Sequence, residues 1–309
     1  MDTASTILLT GASGMIGSSL KRLLTTRRYA RVLAPTHAAL DLRDQRAVMD
    51  YVRTHRPAAI FHLAARVGGI HANNTYPAQF IYDNTAMHTN VIEAAYRCGV
   101  ERLLFPGSAC TYPKLAPQPV KETEFLNGQI EPTNLAYACA KINGLIMAQS
   151  YAREYGMKVV LPMPTNTYGI GDNFDPQASH VIPALMKRFH DAKLKSTPDV
   201  TLWGTGCPLR EFVYVDDVAD AMLFLMERYD SHQIINLGTQ QEVSIRTLAG
   251  IVAEVVGYKG EILTDESKPD GAPRKVLDSS KLLGLGWKPK VSLREGLERM
   301  YNYHFKEMA

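Results

Sequence analysis

Over the first 165 residues, short runs of β-branched and aliphatic residues alternate with stretches whose apolar positions recur at helical spacing. Strand-like runs lie at 6–10, 31–33, 59–63, 102–105 and 159–161, and helical patterns at 15–24, 44–53, 85–97 and 137–155. Strands this short and apolar are buried on both faces, which a parallel sheet achieves when helices cover each side. The alternation therefore predicts an α/β fold with a doubly wound parallel sheet.

The pattern changes after Pro164. Proline, asparagine and glycine become frequent around one helical stretch at 180–190, followed by a strand at 212–214, a helix at 217–229 and a strand at 234–236. The remainder reads as mostly helical, ending in a helix at 293–305. The expected organisation is a nucleotide-binding domain over 1–165, to which a segment near 210–240 returns one strand. A smaller, mostly helical, discontinuous domain over 166–309 would bind substrate.

Composition narrows the class of function. The chain has 309 residues, 46% hydrophobic and 21% charged, with a net charge of +3. Lysine and arginine are dispersed among acids, so no nucleic-acid stripe or membrane-surface helix is expected. No apolar run approaches the roughly 18–20 residues that span a bilayer. The polar start, 1–5, does not read as a secretory leader, so a cytoplasmic protein is expected. Cys98, Cys110, Cys139 and Cys207 show no paired spacing, which points to reduced thiols and no metal site.

The first strand runs into Gly11, Ser13, Gly14, Met15, Ile16 and Gly17 as a helix opens. Glycines at this spacing let the chain turn tightly and let a pyrophosphate approach the helix N-terminus. A strand–turn–helix context is what a Rossmann-type dinucleotide site requires. The end of the second strand, with Thr36 and His37, carries no acid before Asp41. An acid at that end would bind the adenosine ribose of NAD, so its absence favours NADP. Asp41 and Leu42 are expected to border the adenine, and Ala64 and Ala65 to line the cleft.

Tyr137 and Lys141 are four apart on a predicted helix and share one face. An ammonium near a phenol is expected to lower its pKa from about 10 and make it a usable acid for a carbonyl under reduction. Ser108 follows a strand end, where parallel α/β sheets face their ligands. Its hydroxyl is placed to bond the same carbonyl oxygen.

With these residues identified, a wider likeness emerges. The stretch 65–77, beginning Ala65-Arg66-Val67-Gly68-Gly69, resembles a signature of the GDP-L-fucose synthases of the extended short-chain dehydrogenase/reductase family. So do Gly107-Ser108-Ala109-Cys110-Thr111-Tyr112-Pro113, Glu131-Pro132-Thr133-Asn134, Pro164-Thr165-Asn166-Thr167-Tyr168-Gly169, Asp172-Asn173-Phe174, Ser179-His180-Val181-Ile182-Pro183 and Lys268-Pro269-Asp270-Gly271-Ala272-Pro273-Arg274-Lys275. The likeness spans nearly the whole chain. It departs at Ala109 (commonly serine), at Ile170-Gly171 (commonly Pro-His), and at Ser13 and His37, where basic residues often meet the 2′-phosphate.

The resemblance implies a 3,5-epimerase-4-reductase acting with NADPH on GDP-4-keto-6-deoxy-D-mannose. Ser108, Tyr137 and Lys141 would be the reductase trio, with Cys110 and His180 as base and acid of epimerisation. Cys110 lies two residues after Ser108, so an extended chain would point both into one cleft. Pro106, Gly107, Pro164, Thr165, Asn166, Thr167, Lys141 and His180 would border the cofactor. Asn166, Arg188, Trp203, Arg210, Asp270 and Lys275 would line the GDP-sugar site. The family's homodimer would pack the helices at 85–98 and 137–155. Three alternatives remain open from sequence: a related GDP-4-keto-sugar enzyme for colitose or a modified heptose, a nucleotide-sugar 4-epimerase with bound NAD, and a non-catalytic dinucleotide-binding module.

Overall fold

The computed structural model describes residues 1–175 and 179–307, without the side chains of residues 70 and 71. In chain order the first half contains β1 (Thr6–Thr10), α1 (Met15–Thr26), β2 (Arg31–Leu33), α2 (Gln45–His55), β3 (Ala59–His62), α3 (Ile70–Thr75), α4 (Pro77–Arg97), β4 (Arg102–Leu104), α5 (Leu135–Tyr155) and β5 (Lys158–Pro164). The second half contains β6 (Asn166–Tyr168), α6 (Val181–Leu194), β7 (Asp199–Trp203), β8 (Leu209–Tyr214), α7 (Val215–Arg228), β9 (Ile234–Leu237), β10 (Glu242–Ser244), α8 (Ile245–Val256), β11 (Glu261–Asp265), β12 (Arg274–Lys275), α9 (Ser280–Gly284) and α10 (Leu293–Asn302).

Six strands form a parallel sheet in the order β2-β1-β3-β4-β5-β9. Its residues alternate between two apolar layers, as the two-residue period of a strand dictates. Leu8, Ile60, Leu103 and Leu161 pack under α2, α4 and α5. Ile7, Leu9, Phe61, Leu104 and Val160 pack under α1 and α7. The chain steps outward from β1 to β2 and then crosses back to β3, which makes a topological switch point at the carboxyl ends of β1 and β3. In open α/β sheets that is where ligands bind.

The strand that returns to this sheet is β9. The strand predicted near 212–214 instead joins a second sheet of order β10-β8-β12, with β6 also paired to β8. A third core, between α6, α8 and α10, packs beneath that sheet. The second half, expected to be mostly helical, has seven strands among its described residues, including a parallel ribbon of β7 and β11 that hydropathy did not reveal. Its residues are largely half-exposed, so no apolar run marks them. Helix α4 starts earlier than its apolar pattern. Pro77 occupies the first turn, where a missing N–H costs nothing, and of the first eight residues only Phe80 and Asn84 are buried. Among the described residues, no helix is long and apolar enough to cross a membrane.

Candidate active site

Leaving β1, the chain turns at Gly11 with φ +71°, and a Cβ there would lie 2.6 Å from the Ala64 nitrogen. Gly17 presses on the same turn: its Cβ would meet the Gly11 oxygen at 2.0 Å. Gly14 caps α1 without a side-chain bond, so the first N–H groups of the helix are left for a ligand. These features fit a dinucleotide pyrophosphate. The turn opens on a cavity of about 750 Å³, within the usual range for cofactor sites.

Most sequence-predicted residues line this one cavity. On the nucleotide side they are Gly11, Ser13, Gly14, Met15, Ile16, Gly17, His37, Ala64 and Ala65. Pro106, Gly107, Ser108, Cys110, Tyr137 and Lys141 form the wall at the ends of β4 and α5, and Pro164, Thr165, Asn166, Thr167, His180 and Lys275 contribute further lining. Thr36, Asp41 and Leu42 do not reach the lining: Leu42 is buried in the core beneath the sheet, and Asp41 is paired with Arg43. Arg188, Trp203, Arg210 and Asp270 also lie outside it. Arg188 donates to the Thr201 carbonyl, and Trp203 is 73% exposed at the end of β7. Arg210 donates to the Ala272 carbonyl at 2.7 Å, while the Asp270 carboxylate accepts from the Thr205 N–H and hydroxyl.

The wall at the ends of β4 and α5 is partly closed to water: Lys141 is buried, and Ser108, Cys110 and Tyr137 are half-buried. Burial holds the Tyr137 phenol well above its ordinary pKa; nearby Cys110 raises it further, and a hydrogen bond with Ser108 opposes the rise. The sequence-based expectation of a lowered phenol pKa is therefore reversed. The reason is the phenol's own desolvation, which outweighs its neighbours; Lys141 is itself buried and pushed down to about 7 by desolvation. Its ammonium donates to the Pro106 carbonyl at 2.9 Å and sits 4.7 Å above the Phe105 ring. Ser108 and Cys110 are not consecutive positions of an extended strand. Ala109–Thr111 forms a 3₁₀ turn capped by Ser108, whose oxygen accepts the Cys110 N–H at 3.2 Å. The turn still delivers both side chains to the cavity. His180 immediately precedes α6, and desolvation lowers its pKa.

No site role is expected from sequence for several residues found here. His62 and His88 are fully buried beside Lys141 and joined to each other at 3.0 Å, and His62 also bonds Thr10 at 2.8 Å. Burial pushes His62 down to about 3, so it stays neutral. Asp172 lines the cavity with one carboxylate oxygen unpartnered, and burial raises it to about 6. Arg43, Arg66 and Asp83 also join the lining. Only the fold brings these distant positions together.

Comparison with known proteins agrees with this geometry. Residues 7–238 match the model of the NAD dependent epimerase/dehydratase family. GDP-L-fucose synthase 1 of Arabidopsis thaliana is 50% identical over 308 residues, covering 100% of this chain and 95% of that protein. GDP-L-fucose synthase of Escherichia coli is 47% identical, covering 96% and 95%. A GDP-mannoheptose C4 reductase from Campylobacter jejuni, solved with NADP bound, superposes with a TM-score of 0.90 at 34% identity, covering 98% and 99%. With a glycine turn, a Ser–Tyr–Lys wall and full-length likeness of this depth, the chain belongs to the GDP-L-fucose synthases of the NAD dependent epimerase/dehydratase family.

Proposed function

We propose that the protein converts GDP-4-keto-6-deoxy-D-mannose to GDP-L-fucose, epimerising carbons 3 and 5 and reducing carbon 4 with NADPH. The observation that carries this reading is the convergence of Ser108, Cys110, Tyr137, Lys141 and His180 on one cavity with the glycine turn.

The keto group makes the hydrogens on carbons 3 and 5 acidic, because the resulting enolate places its charge on the carbon-4 oxygen. Ser108 and Tyr137 line the same wall of the cavity, so both hydroxyls address one point, where that oxyanion is held. Cys110 as thiolate removes the proton, and His180 returns one to the opposite face of the ring. Bound NADPH supplies the hydride for carbon 4. Tyr137 gives the carbon-4 oxygen its proton: a phenol with a raised pKa stays protonated at neutral pH and loses its proton only as alkoxide charge develops. Lys141, on the Pro106 carbonyl, fixes the wall from which Tyr137 acts. Asn166 and Lys275 contact the GDP-sugar within the cavity, and Arg188, Trp203, Arg210 and Asp270 extend that contact beyond it.

The protein acts in the cytoplasm as a homodimer that packs α4 and α5 against their copies. Exposed Ile81 and Tyr82 on α4, with Ile146 on α5, supply apolar surface for it. Light scattering should give twice the chain mass. For the activity, the test is NADPH oxidation with GDP-4-keto-6-deoxy-D-mannose, with the product identified by NMR. GDP-L-fucose at one equivalent per NADPH is expected. Product with unchanged configuration at carbons 3 and 5 would leave a plain 4-reductase, and turnover without net NADPH use would indicate an epimerase.

A further inference from the structure

We propose that Arg43 reads the 2′-phosphate of the dinucleotide in this chain, and that Asp41 holds it in place. The inference rests on the NADP reading above and adds the residue responsible for it. An Arg near the end of the second strand is what accommodates that phosphate in such folds. Here the glycine turn offers Ser13, which carries no charge, and the β2 end offers His37, whose side chain is 75% exposed and charged only when protonated. Arg43 is a permanent cation at that end, and it lines the cavity.

Its surroundings keep it available. Nε and Nη2 of Arg43 donate to the two Asp41 oxygens at 3.0 and 2.8 Å, and Nη1 donates to Asp83 at 3.2 Å. A guanidinium has five N–H groups, so one on each terminal nitrogen is left for a ligand. Asp41 does not line the cavity, so Arg43 is the member of this pair that faces it. Arg66 is the competing cation. It donates to Asp83 at 3.2 Å and lies 5.6 Å over the Phe80 ring, but it follows β3 rather than β2. With Arg43, Arg66, Asp41 and Asp83 the cluster is neutral as it stands. Its pairs are partly exposed and individually weak, so a phosphate dianion exchanges into them readily, and a planar fork suits it.

The test is direct titration of NADPH and NADH, with 2′,5′-ADP and 5′-AMP as fragments, into wild type, Arg43→Gln, Arg43→Lys and Arg66→Gln. Wild type should prefer NADPH by about tenfold or more. Arg43→Gln should weaken NADPH and 2′,5′-ADP by roughly 10–100-fold while NADH and 5′-AMP change less than about twofold, in line with loss of a charge-assisted bond. Arg43→Lys should recover part of the loss. Undiminished NADPH binding in Arg43→Gln, or the loss appearing in Arg66→Gln instead, would overturn the assignment. Wild type that binds NADH as well as NADPH would sink the NADP reading itself, a distinct result.

Discussion

The two ends of the cavity handle charge in opposite ways. At the β2 end, Arg43, Arg66, Asp41 and Asp83 form partly exposed ion pairs that water and salt screen. At the other end, Lys141, His62 and His88 are withdrawn from water and Tyr137 is half-buried, and burial is the largest influence on each pKa. On the proposed reading the wet end recognises: its contacts are cheap to exchange, so a ligand can replace one partner with another. The more buried end would do the chemistry: a proton held on a desolvated phenol moves only when charge develops beside it. The same kinds of side chain take different roles because the dielectric around them differs.

The strongest way to break this contrast is Tyr137→Phe. Without its general acid, reduction should fall by about 10²–10⁴-fold while NADPH still binds. Reduction at the wild-type rate, followed by NADPH absorbance, would remove the more buried end from the mechanism. Cys110→Ser should come next, with exchange of the carbon-3 and carbon-5 hydrogens in heavy water slowed by about 10²-fold. Normal exchange by NMR would strip Cys110 of its role as base.

Lys141→Met probes the cost of burying the lysine. The folded pKa of Lys141 is depressed to about 7 from 10.5, so protonation is penalised in the folded state only. As pH falls from 10.5 to about 7, unfolded chains take up that proton and folded ones do not, so stability drops through this window. Lys141→Met should lose activity yet melt at a higher temperature than wild type at pH 7, the gap closing towards pH 10.5. A lower melting temperature at pH 7 would mean the ammonium's bond to Pro106 outweighs its desolvation. The smallest effect is expected at the wet end. Arg66→Gln should shift unfolding by no more than about 1 kcal/mol. A denaturation midpoint shifted by several kcal/mol would show that the cluster is structural rather than exchangeable.

The chain pattern alone determined the parallel sheet, the glycine turn and the order of the catalytic residues, because each depends on neighbours in sequence. Local periodicity sets which face of an element is apolar, and a glycine between strand and helix announces itself. Tertiary structure decided what those residues experience. Tyr137 and Lys141 share a helix face as their spacing demands, but the fold buries the lysine against Phe105 and Pro106 and, separately, desolvates the phenol and reverses its expected shift. Ser108 and Cys110 reach one cavity through a 3₁₀ turn that no two-residue period describes. Arg43 meets Asp83 only because α4 lies against α2, forty residues later in the chain. Burial and charge pairing are sums over groups distant in sequence, so spacing named the participants and the fold set their energies.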